Sequence, residues 1–131
     1  MSDRIDLGRS QPGLYKAVLE LEQRMAQAVA AAGIAEGFAH LLKLRASQFN
    51  KCVFCVRMHA QDALPHGETA GRVALVAAWE ESGYFDARER AGLALVEAIT
   101  RVAVDQVPDA VYDAAAAVLS GEEIAAIEWL A

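Results

Sequence analysis

Cys52, Cys55 and His59 stand together in one stretch, Cys52-Val53-Phe54-Cys55-Val56-Arg57-Met58-His59. Steps of three and four residues bring side chains onto one face of a helix, so all three converge if the stretch is helical. Asn50 is a good N-cap, which predicts a helix from about Lys51 and places Cys52 in its first turn. Free backbone N–H groups and the helix dipole there favour a thiolate. Cys55 lies one turn deeper, next to His59 as a proton acceptor. One thiolate can then attack an electrophile, and the second thiol can resolve the product as a disulfide.

Other chemistries fit the same residues. Two cysteines on a helix can be small buried hydrophobes with no reactivity. A zinc ion could be held by Cys52, Cys55 and His59, but a closed structural site needs a fourth ligand, for which His40 is the candidate. A thioredoxin-type site is disfavoured, because the motif has no surrounding βαβ pattern. The remaining candidates read mostly as structure. His66 belongs to a surface turn, Trp79 to the core, and Arg57 to a solvent-facing position. Tyr15 and Phe38 either line a pocket near the cysteines or pack in the core.

The elements that must position these residues all have helical period. Leu14, Ala17, Val18, Leu21, Met25, Ala28, Val29 and Ala32 form one apolar stripe at 3–4 spacing, expected to be buried. Pro12-Gly13 precede that helix and Gly33 can end it. A second helix is predicted over Ala35 to Phe49 with Phe38, Leu41 and Leu42 inward. The cysteine helix should stop near Leu64, because Pro65 disfavours helical geometry before it, and Pro65-His66-Gly67 is a turn. A fourth helix covers Thr69 to Glu81, its Val73–Trp79 run apolar on all sides and so expected to be fully buried. Asp86 with Glu89 forms a capping-box pattern that opens a fifth helix to about Val104. Pro108 suits the first turn of a sixth, with Val111, Ala115, Val118 and Leu119 on one side. Ser120 with Glu123 opens a seventh that runs to Ala131. No useful period-2 segment occurs. The expectation is a single all-α domain over residues 1–131, a compact bundle of about six to seven helices.

With 131 residues, the chain can bury a core without disulfide staples. A formal net charge of −6 argues against nucleic acid, which needs a basic stripe to neutralise phosphates. Basic residues mostly have acidic neighbours, as in Asp86, Arg88, Glu89 and Arg90, which reads as a solvated face. The polar start of the chain lacks a signal-peptide core. No apolar run approaches the roughly 18 residues of a membrane span. Cysteines this close in sequence read as chemistry in a reducing compartment rather than as a framework disulfide. A cytoplasmic protein with no membrane partner is expected.

The segment Leu42-Lys43-Leu44-Arg45-Ala46-Ser47-Gln48-Phe49-Asn50-Lys51-Cys52 through His59 resembles the core of the AhpD-like alkylhydroperoxidases of the carboxymuconolactone decarboxylase superfamily. Glu68-Thr69, Ala77-Ala78-Trp79-Glu80 and Phe85-Asp86-Ala87-Arg88-Glu89-Arg90-Ala91 extend the similarity, which covers roughly Tyr15 to Leu119. The resemblance implies a helical fold, assembly as a homotrimer or homohexamer, and antioxidant reduction of organic hydroperoxides or hydrogen peroxide through a Cys52–Cys55 cycle. It implies that Cys55 attacks the peroxide, Cys52 resolves it, and His59 relays protons, with no cofactor and no metal. It also implies a thioredoxin-like or dihydrolipoyl-type reductant. The family's relay glutamate, twelve residues before the first cysteine, is His40 here, so His40 is expected to take its place. With an unperturbed imidazole pKa of about 6.5, the rate should then fall through roughly pH 6–7. The rival readings are a slowly reacting oligomeric redox-sensing or binding module, and a Cys2His metal site.

Apolar residues make up 55% of the chain, above the usual share of about 45–50%, and one small bundle does not readily hide that much apolar helix surface. A homo-oligomer with an apolar interface is therefore expected. Light scattering at micromolar concentration should show a multiple of 14.0 kDa; a stable monomer would reject the oligomer.

Overall fold

A computed structural model describes residues 3–131 as helices joined by short links, with no strand among them. The α-helices are α1 (Leu7–Ser10), α2 (Pro12–Ala31), α3 (Glu36–Phe49), α4 (Val53–Ala63), α5 (Ala70–Leu75), α6 (Ala87–Thr100), α7 (Val102–Asp105), α8 (Asp109–Ala116) and α9 (Gly121–Leu130). Two 3-10 segments, Leu64–His66 and Val76–Glu81, complete the set. The all-α expectation holds. Nine α-helices stand among the described residues where six or seven were expected: the short α1 precedes the first expected helix, and the fifth stops at Thr100 and restarts as α7. The predicted fourth helix divides into α5 and a 3-10 segment kinked at Ala78.

Helix α3 forms the centre of the core. Eight of its fourteen residues are buried, among them Phe38, Leu41, Leu42 and Leu44. Around it pack Val76, Leu93, Leu95, Val96 and Ile127, all with essentially no exposed surface. Removing one such leucine costs about 2–5 kcal/mol, so α3 is the element that the fold can least spare.

The capping boxes at Asp86/Glu89 and Ser120/Glu123 form as expected, each satisfying two backbone N–H groups reciprocally. Two apolar patterns behave differently. On α2 only Met25 and Val29 are buried, while Leu14 and Val18 are 65% and 60% exposed. In the Val73–Trp79 run, only Val76 and Trp79 are buried. Periodicity marks an apolar face, but whether that face meets a neighbour depends on the placement of distant helices. Phe38 is a core residue that borders a cavity with Ile34, Leu119 and Ile127 rather than one lined by the cysteines, and Tyr15 is exposed.

The charges near residues 86–90 are not a free solvated face. The Arg72 guanidinium donates to Glu68 at 2.8 and 3.2 Å, to Glu89 at 2.6 and 3.1 Å and to the Tyr84 carbonyl at 2.6 Å. It also covers the Phe85 ring. Arg90 donates to the carbonyls of Trp79, Glu80 and Ser82, and Arg88 pairs with Glu123, docking α9. Arg45 and Trp79 both donate to Glu97, at 2.5 and 2.7 Å. These cations tie chain segments together in place of buried backbone pairing.

Arg72→Met should keep the aliphatic stem yet leave the nearly buried Glu68 carboxylate without its partner. A loss of roughly 3 kcal/mol is expected, the scale for breaking a mostly buried pair by removing one partner. Urea denaturation checks this; a change within about 0.5 kcal/mol, as for ordinary surface positions, would make the cluster a mere surface ornament.

Candidate active site

The link between α3 and α4 is three residues long, Asn50-Lys51-Cys52. Asn50 caps the end of α3 rather than opening α4. Lys51 takes a left-handed backbone, φ 54°, and the Cys52 N–H donates back to the Ser47 carbonyl at 3.1 Å. This is a Schellman-type ending. Cys52 is then itself the N-cap of α4, so the helix starts two residues later than an Asn50 cap implied. Its sulfur accepts the Cys55 N–H at 3.3 Å. The tight link leaves no residue free for a separate cap, so the first cysteine does that work.

Cys52 and Cys55 are joined as a disulfide with Cα atoms 5.3 Å apart, well inside the range that a disulfide needs. Both are partly exposed, unlike inert core cysteines, and Val53 and Phe54 between them are strongly exposed. In this form the sulfurs bond to each other, so the Cys2His metal arrangement is not the one present. His59 follows Cys55 by one turn on α4, as the spacing requires. Its ring does not hydrogen-bond to either sulfur among the described residues; its partner is His40, with the two Nδ1 atoms 3.4 Å apart. The structure thus brings together His40 and His59, and Cys52 and Cys55, as two adjacent pairs. Arg57 is exposed, as expected.

Two groups near His40 escaped the sequence reading. His66, read as a surface turn residue, stacks on His40 with ring centroids 5.6 Å apart and meets Glu36 at 3.2 Å. Lys43, paired with Glu22, sets the local potential. Glu36 and His40 are four residues apart and visibly share a face of α3, but nothing local says that the Pro65-His66-Gly67 turn folds back onto it. A cavity of about 410 Å³ lies beside this cluster, lined by Met25, Val29, Ile34 and Ala39 with His40 and Lys43. Ligand atoms of His40, His59 and Asp62 lie within 4.8 Å of one another, as do those of Glu36, His40 and His66.

Residues 12–98 match the carboxymuconolactone decarboxylase family. The chain belongs to that family. Among family relatives, the uncharacterised protein YdfG of Bacillus subtilis (strain 168) is 35% identical over 112 residues, which is 86% of this chain and 74% of that protein. The fold also matches the crystal structure of a protein of unknown function, ATU0492, from Agrobacterium tumefaciens, described there as a candidate antioxidant defence protein AhpD. That match has a TM-score of 0.87 and 35% identity, and spans 98% of this chain and 86% of the other. The AhpD-like fold read from the motif is therefore the fold of this family member. No helix among its described residues is long and apolar enough to cross a membrane.

Burial, then the Lys43 charge, then His40 push the His59 pKa from 6.5 down to about 4. Burial, with Lys43 next, lowers that of His40 as well. Both rings are therefore neutral near pH 7, and any acid limb set by them lies below the pH 6–7 expected from an unperturbed imidazole. Between about pH 6.5 and 4 the unfolded chain binds a proton at His59 that the fold refuses, so stability falls as pH falls through that window. Urea midpoints at pH 7, 5.5 and 4.5 should decline for the wild type and decline less for His59→Gln; parallel declines would remove His59 as a cause.

Proposed function

We propose that this family member is a thiol peroxidase that reduces organic hydroperoxides through a Cys52–Cys55 dithiol/disulfide cycle. The observation that carries the reading is the partly exposed disulfide at the start of α4, with the neutral His59–His40 pair one turn further on. The likeness to a candidate antioxidant defence protein agrees with it. The mostly apolar cavity beside His40 favours an alkyl group over bare hydrogen peroxide, which the same sulfur chemistry also accepts.

In the reduced form His59, a neutral base, takes the Cys55 thiol proton. The Cys55 thiolate attacks the distal peroxide oxygen; an S–O bond forms, the O–O bond breaks, and the leaving alkoxide takes back from the His59–His40 pair the proton removed from Cys55, departing as alcohol. Cys52 then attacks the Cys55 sulfenic acid, forming the S–S bond and releasing water. A dithiol reductant of the thioredoxin or dihydrolipoyl class restores both thiols while it is oxidised to its own disulfide. His40, in place of the family's glutamate, orients His59 and receives its proton through the Nδ1–Nδ1 contact. The exposed Leu14, Val18 and Leu21 of α2, with Trp129, support assembly as a homotrimer or homohexamer.

Cys52→Ser should undergo one oxidation by cumene hydroperoxide and leave a sulfenic acid on Cys55, detected by dimedone labelling and mass spectrometry. Cys55→Ser should be inert. The N-cap position of Cys52 favours a thiolate there, so labelling of Cys52 in Cys55→Ser, with no reaction in Cys52→Ser, would reverse the roles. A wild-type chain whose thiols oxidise no faster than free cysteine would instead favour a redox-sensing or binding module.

A further inference from the structure

The turn that carries His66 lies unusually close to α3. A β-carbon on Gly37 would sit 2.5 Å from the His66 carbonyl oxygen and 2.9 Å from the Glu68 side chain, so only glycine permits the approach. Gly67, at φ 97°, then turns the chain away at no steric cost. The result sets His66 over the face of α3 that presents Glu36 and His40 one turn apart.

The orientation of His66 is fixed by chemistry. Its Nδ1 lies 2.7 Å from the Asp62 carbonyl oxygen. A carbonyl can only accept, so Nδ1 carries the hydrogen. The remaining ring nitrogen, Nε2, then faces a Glu36 carboxylate oxygen 3.2 Å away. That separation suits a cation shared between the two atoms, either a proton or a metal ion. A single proton would serve two partners, but here a third donor, His40, is within 4.8 Å of both. A tetrahedral ion with bonds of roughly 2.0–2.1 Å would set neighbouring ligand atoms about 3.3–3.4 Å apart, close to the observed N···O edge. The Asp62 carbonyl supplies the outer-shell hydrogen bond that metal-binding imidazoles almost always make. By contrast, the His40–His59 contact needs only one shared proton.

We propose that Glu36, His40 and His66 form a binding site for a divalent transition-metal ion, with zinc the best match to two imidazoles and one carboxylate. A solvent molecule completes the coordination on the exposed side, where Glu36 and His66 reach the surface. The site shares His40 with the proposed proton relay but uses neither sulfur, and its test involves no peroxide.

The experiment is titration calorimetry of the oxidised, metal-stripped chain with zinc chloride at pH 7.5, where the disulfide keeps both sulfurs from competing. One zinc per chain should bind, and both Glu36→Gln and His66→Ala should weaken it by more than about tenfold. The Cys52→Ser/Cys55→Ser double variant should bind as the wild type does. Cobalt(II) should give a visible absorption spectrum that disappears in His66→Ala, while circular dichroism shows that variant still helical. No saturable zinc binding, or binding indifferent to Glu36 and His66, would overturn the site and leave a proton-bridged Glu36–His66 ion pair. Binding that vanishes in the cysteine double variant would overturn it in favour of the sulfurs.

Discussion

Helix α4 is held against α3 at both ends, and the chemistry of the chain depends on that clamp. At one end, the three-residue link turns the chain so abruptly that Lys51 adopts a left-handed backbone and Cys52 must serve as the cap. At the other, the His66 carbonyl enters the space that Gly37 leaves open. A helix fixed at two points has little freedom to rotate or slide. Cys52, Cys55, His59 and the following turn therefore keep one register against the polar stripe of α3. The other face of α3 is committed to the core, where Leu41, Leu42 and Leu44 have no exposure to speak of.

Electrostatics completes what packing begins. Around His40 and His59, burial and the Lys43 charge both disfavour protonation, so the rings stay neutral and can accept protons. Farther out, arginines do structural work. Arg72, Arg88 and Arg90 join segments whose links are too short or irregular to pair their own backbone groups. No buried side-chain nitrogen or oxygen among the described residues lacks a partner, which is what a fold needs when so many charges lie close to its core. The burden falls on the 3-10 segment of Val76–Glu81, whose kink at Ala78 is pinned by Trp79 donating to Glu97 and by Arg90 reaching its carbonyls.

The amino-acid sequence determined by itself the features that depend on neighbours within one or two turns. The two capping boxes, the inward side of α3, the stop before Pro65 and the common face of the cysteine pair follow from side-chain reach and a 3.6-residue period. The family motif was legible for the same reason, since its residues lie within one helix and its lead-in. Tertiary structure decided everything that needs a second segment. The stripe on α2 has the same period as a buried one, yet most of it is left uncovered because the helices it would meet pack elsewhere. Asn50 looks like the opening cap of α4 until it is seen to close α3. His66 is the exposed turn residue that its neighbours suggest, but only the packed chain sets it beside Glu36 and His40. Periodicity states which face is apolar and which residues share it; only the packed chain decides what stands opposite, because opposing faces come from segments whose separation in sequence carries no local signal.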